Sequence, residues 1–204
     1  QPRQDKIGDL SAIQFRRHDY VYELTPLFVY DISALVVSRI NYAAFTIYKS
    51  DKTLLVDLCL IWGENAASQV FKAPGVSFSQ DCRWCWVRWD RDAGFNLSEL
   101  SNNHLLISDP KLEKKVRNFH VGDQVRIKGK LVDVKAKLVG KRGSYDSSEI
   151  LWKTSTNRAD GGAGACEVIY VEEAELLKKA NNISCFLFDA SFYGLLLWML
   201  WNFF

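Results

Sequence analysis

Apolar and polar residues alternate with a period of two through most of the chain, a pattern that predicts strands with one buried face. Leu27 to Ile40, LFVYDISALVVSRI, places Tyr30, Ile32, Ala34 and Val36 on one parity. LLVDLCLIWG, residues 54–63, is a second strand closed by Gly63, and VSFSQDCRWCWVRW, residues 76–89, reads as a third. The period then changes. Asp109 followed by Pro110 suits an N-cap with proline in the first helical position. Leu112, Val116 and Phe119 recur at helical spacing, which predicts a short amphipathic helix from Pro110 to about Asn118. Strict alternation returns in VRIKGKLVDVKAKL, residues 125–138, where Gly129 predicts a bulge or sharp bend. EILWKTSTNR and CEVIYVEEAELL supply the last two strands. The first nineteen residues show no sustained period and are expected to be a flexible lead-in.

Three strands, one helix and three more strands point to a mainly β domain, a small OB-like Greek-key β-barrel with one short helix. VGDQVRIKGKLVDV resembles the barrel strand in which Gly-Asp opens a turn and a mid-strand glycine lets the sheet curl. The expected organisation is a lead-in over 1–19, the barrel over 20–181 and a hydrophobic segment over 182–204.

Residues 183–204, ISCFLFDASFYGLLLWMLWNFF, carry one charge, Asp189, and no lysine or arginine. A helix of about twenty residues spans a bilayer core of roughly 30 Å. Trp198 and Trp201, with Lys178 and Lys179 ahead of the segment, are placed like interface anchors, so a C-terminal transmembrane helix is expected. A C-terminal core helix is the alternative, because the stretch without charge from Ala190 onward is only 15 residues.

Apolar residues at 48% and charged residues at 25% suit a globular domain and exclude wholesale disorder. The net charge of +2 is too small to imply nucleic acid. The local run from Lys111 to Arg142 is basic, with eleven Lys or Arg against three Asp or Glu. It reads as a solvated face, with an anionic headgroup or nucleic-acid backbone as the functional alternative. Trp84, Trp86 and Trp89 beside Arg88 could serve single-strand binding, although alternating Trp is more often half core and half interface.

Five cysteines do not make a disulfide framework in a chain of this length. One pair, for example Cys59 with Cys166, is open if the domain faces an oxidising compartment. CRWC has C-x-x-C spacing, but on a strand Cys82 and Cys85 fall on opposite faces, and no second metal-ligand pair exists. No metal or cofactor is expected. In SNNHLL, read as a loop, Asn102, Asn103 and His104 are candidate ligand contacts. Arg158, Asp160 and Cys166 in TSTNRADGGAGACEVIYVEE are the others. This glycine loop lacks the lysine and the following helix of a phosphate loop, so it reads as a turn in which Arg158 and Asp160 pair. Cys166 with His104 would make a thiol and base pair if the fold brought them together.

The stretches YDISALVVSRINY, DLCLIWGENAAS, SFSQDCRWCWVRW, LSNNHLLISD, VGDQVRIKGKLVDV and TSTNRADGGAGACEVIYVEEAEL together resemble an uncharacterised group of bacterial membrane-anchored proteins. That resemblance implies a small extracytoplasmic domain behind an N-terminal hydrophobic anchor and supplies no activity; the expected placement is the inner membrane with the domain facing the periplasm. Cys82 and Cys85 stand where the group has aromatic or polar residues. The expected function is therefore noncatalytic: a membrane-tethered module that binds or scaffolds another membrane or envelope protein, with lipids as the other partner and nucleic acid unlikely. A thiol-dependent enzyme using Cys166 and an oligonucleotide-binding domain are the competing readings.

Overall fold

The computed structural model describes residues 1–8, 11–17, 19–42, 56–81, 84–139, 148–157, 160–162 and 165–180. The protein is mainly β. Its strands are β1 (Arg3–Lys6), β2 (Ile13–Arg17), β3 (Tyr20–Asn41), β4 (Val56–Ile61), β5 (Ser77–Asp81), β6 (Trp84–Arg88), β7 (Leu100–Leu106), β8 (Gln124–Leu138), β9 (Glu149–Trp152) and β10 (Glu167–Lys178). Two α-helices join them, α1 (Gly63–Ala67) and α2 (Pro110–Arg117).

Five of these strands close on themselves. β3 pairs with β4, β4 with β7, β7 with β10, β10 with β8, and β8 returns to β3. Every pairing is antiparallel except β7 with β10. One edge of the 22-residue β3 is lined in turn by β2, β1 and β4, while the other is covered by β8 from Tyr20 to Leu35. Pro26 sits beside a register shift in that second pairing, where a missing backbone donor costs least.

The parity read from the sequence is the parity of the core. Tyr30, Ile32, Ala34 and Val36 are buried together with Val56, Leu58 and Leu60 of β4, Val125, Ile127 and Leu131 of β8, and Ile169 and Val171 of β10. Asp109 caps α2 by accepting from the Lys111 backbone N at 2.8 Å, with Pro110 in the first turn. The helix then contributes Val116 to this core, followed by Phe119, with Leu112 packed at its margin.

Gly129 answers for the close approach of β8 and β10. A Cβ there would stand 2.0 Å from the Tyr170 carbonyl oxygen, opposite a register shift between Val171 and Glu173. In the preceding VGD turn, Gly122 takes a φ of 91°, where glycine carries no Cβ penalty. Asp123 is buried and accepts from His120 N and Ala180 N, both at 2.8 Å, so the turn also holds the end of β10.

Three expectations change. The lead-in over residues 1–19 contains β1 and β2, both paired with β3, because the unusually long β3 offers a free edge beyond its contact with β4. Residues 76–89 form two strands, β5 and β6, which pair as a hairpin separate from the main sheet. SNNHLL is a buried strand of the ring and not a loop. No helix among the described residues is long and apolar enough to cross a membrane. The expected transmembrane segment, 182–204, lies outside those residues.

Candidate functional site

Strand alternation sorts the central polar residues between the two sides of the ring. In β4, Val56, Leu58 and Leu60 enter the core, so Asp57 and Cys59 face outward. In β7, Leu105 enters the core, so Asn103 shares its inward parity while Asn102 and His104 face outward. Register brings the outward residues side by side: Asp57 opposite His104, and Cys59 opposite Asn102. Across the parallel pairing His104 lies beside Val168, and Cys166 precedes it on the same parity.

The outcome is a cluster on the outer surface of β4, β7 and the start of β10. His104 Nδ1 stands 2.8 Å from Asp57 Oδ2, in a close ion pair whose geometry departs from an in-line hydrogen bond. The Tyr42 hydroxyl donates to the same carboxylate oxygen at 2.7 Å. Cys166 acts on the His104 charge electrostatically, and Asn102 Nδ2 donates to Cys166 Sγ at 3.5 Å. Trp152 lies against the imidazole, with ring centroids 6.4 Å apart.

Burial disfavours a charged imidazole, but the Asp57 carboxylate opposes it with its charge at close range, and Cys166 adds to the effect. The net result raises the His104 pKa to about 10. His104 is thus an imidazolium at neutral pH, held between a carboxylate and a sulfur.

The cluster is roofed by the hairpin. Cys59 forms a disulfide with Cys85 of β6, with Cα atoms 5.9 Å apart. Gln80, the register partner of Cys85, donates through Nε2 to Asn102 Oδ1 at 2.8 Å. That bond turns the Asn102 amide so that its NH2 faces Cys166. The pairing of Cys59 with Cys166 is therefore corrected. Cys59 points toward the hairpin on the neighbouring strand, and Cys166 keeps its thiol.

Of the six residues singled out from the sequence, the fold brings together Asn102, His104 and Cys166. Asn103 is separated from them because its side chain faces the interior, where Nδ2 donates to Leu58 O, Ser101 O and Ser101 Oγ. Asp160 bonds Ser155 Oγ at 2.5 Å, and Ser155 N in turn donates to Cys166 O at 2.8 Å, so the glycine loop is tied to the start of β10. Arg158, and with it the expected Arg158 to Asp160 pair, lies outside the described residues. Asp57, Gln80 and Tyr42 were not singled out. The lone acid in the apolar run LLVDLCLIWG was the available signal for Asp57.

Elsewhere the surface is mostly self-compensated. Arg126 forks onto Asp31 at 2.9 and 2.7 Å, Lys128 reaches Glu173 at 2.8 Å, Lys130 pairs with Glu172, and Lys135 approaches Glu149 at 3.8 Å. Such exposed pairs add little stability, yet they remove much of the positive potential expected of the basic run. On the hairpin, Cys85 and Val87 turn inward while Trp84 and Trp86 turn to solvent, their rings stacked 5.7 Å apart at 22°. Trp86 is 56% exposed. Among the described residues, no group of three His, Cys, Asp or Glu is arranged to hold a metal ion. Comparison with protein-family models, curated proteins and solved structures finds no match to this chain.

Proposed function

We propose that the chain is a binding module, an OB-type β-barrel tethered to a membrane, which docks a protein partner on Trp84 and Trp86. Support for the OB assignment comes from the pairing order. Numbered along the chain, the ring strands run first, second, third, fifth, fourth and back to first, with the helix between third and fourth. The tether rests on the hydrophobic segment 183–204.

The observation that carries the binding reading is the exposed tryptophan pair. Large aromatic rings are expensive to leave in water, and they dominate binding energy where a partner covers them. Here they stand on a hairpin held to the barrel by a disulfide, so their position is set before binding. Single-stranded nucleic acid is a weaker occupant. On the outward face of β4 and β7, Cys59 and Asn102 are bonded to the protein's own hairpin, and Arg126, Lys128 and Lys130 of the basic run already have carboxylate partners.

The test is quantitative affinity capture from solubilised envelope membranes with the full chain and its W84A/W86A variant. A partner retained by the wild type and weakened at least about thirtyfold in the variant, at unchanged melting temperature, is expected. Equal recovery by both chains would dismiss the tryptophan surface.

A further inference from the structure

The roofed polar cluster is more than a pin for the hairpin. Cys166 is partly exposed and reduced, while His104 and Asp57 behind it are buried. Asp57 Oδ1 has no hydrogen-bond partner among the described residues despite complete burial. A carboxylate held in that state is costly unless it supports a charge, and the adjacent imidazolium is that charge. The Asn102 amide is oriented by Gln80 so that its donor faces the sulfur from a second direction.

We propose that Cys166, His104, Asp57 and Asn102 form a nucleophilic thiol site that takes an acyl group from an activated ester or thioester. The proposal is independent of partner docking on the tryptophans. The thiolate, the reacting form of cysteine, attacks the carbonyl carbon, and the carbonyl π pair moves onto oxygen. Asn102 Nδ2 donates to that oxygen, where negative charge develops and an oriented donor has most effect. As the tetrahedral species collapses, the bond from carbon to the leaving sulfur or oxygen breaks. The leaving group takes the proton of the His104 imidazolium and departs as a neutral thiol or alcohol. The products are S-acyl-Cys166 and neutral His104, which then accepts a proton from the water or amine that attacks the thioester; the bond from carbon to sulfur breaks, and the thiolate and the imidazolium are restored. No oxidant or reductant is required.

The full chain would be treated with p-nitrophenyl acetate and, separately, with iodoacetamide, and the modified residue mapped by peptide mass. Expected is a burst of one nitrophenolate per chain and an acetyl group on Cys166. N102A is expected to slow acetylation roughly a hundredfold and alkylation far less, because alkylation develops no oxyanion and loses only the long amide bond to the sulfur. H104Q, which keeps a donor but loses the proton relay and the charge, is expected to slow both reactions. The Asn102 comparison stands even if the His104 variant folds poorly. An acetyl group mapped to another residue, or an N102A variant in which both rates fall together or neither falls, would overturn the assignment.

Discussion

Cys59 and Cys85 are joined by a disulfide, and the residues paired with them across their strands, Asn102 and Gln80, meet in a hydrogen bond of 2.8 Å. One covalent link therefore sets both the seat of the hairpin and the direction of the Asn102 amide. Cys85 takes the place of Cys166, the partner that the sequence suggested for Cys59.

The bridge spans 26 residues of sequence. Closing a loop of that size restricts the unfolded chain, so C59S/C85S is expected to lose about 3 kcal/mol. Denaturant unfolding with the wild type under oxidising conditions measures the difference. Digestion without reductant should yield the Cys59 and Cys85 peptides linked, whereas a peptide linking Cys59 to Cys166 would contradict the structure.

Gly129→Ala is expected to destabilise the domain by about 2 to 3 kcal/mol, at the upper end of overpacking costs. The new methyl group would meet the Tyr170 carbonyl, a backbone atom that cannot rotate away. A thermal melt unchanged from wild type would mean that β8 and β10 do not approach as described.

His104 makes stability depend on pH with a definite sign. Its pKa rises from 6.5 in the unfolded chain to about 10 in the fold, so its contribution is complete below pH 6.5. Between those values the folded state keeps a proton that the unfolded state has lost. Stability should therefore fall as pH rises, by up to about 1.4 kcal/mol per unit, until the contribution is gone above pH 10. Asp57 supplies the main favourable force, and Tyr42 and Cys166 are the other polar groups facing the pair. Denaturation series on wild type and H104Q from pH 6 to pH 10 check this. Identical slopes would remove the charged pair from the account.

A chain ending at Asn181 is expected to melt close to the full chain and to stay in solution without detergent. Among the described residues the last buried one of the main core is Ala174, and the end of β10 is held by the bond from Ala180 N to Asp123. Loss of the cooperative melt in the shorter chain would make 182–204 part of the core instead of a membrane anchor.

The sequence by itself determined the elements whose side chains declare their own surroundings. Tyr30, Ile32, Ala34 and Val36 announced a buried face by parity, and Asp109-Pro110 with Leu112, Val116 and Phe119 announced a capped amphipathic helix. Gly129 marked the tight approach. Each of these signals is local, carried by a period or a cap within a few residues. What tertiary structure alone decided concerns polar residues made interior by distant chain. Asn102 and His104 read as loop residues because nothing nearby shows that the hairpin and Trp152 will cover them. Arg3–Lys6 became a strand because β3 presented an edge, and the alternation of Ile13–Arg17 is too short to declare a strand without that edge. Setting His104 between Asp57 and Cys166 required the register of three strands drawn from separate parts of the chain. Register is set by how the whole ring closes, and no window of sequence contains that information.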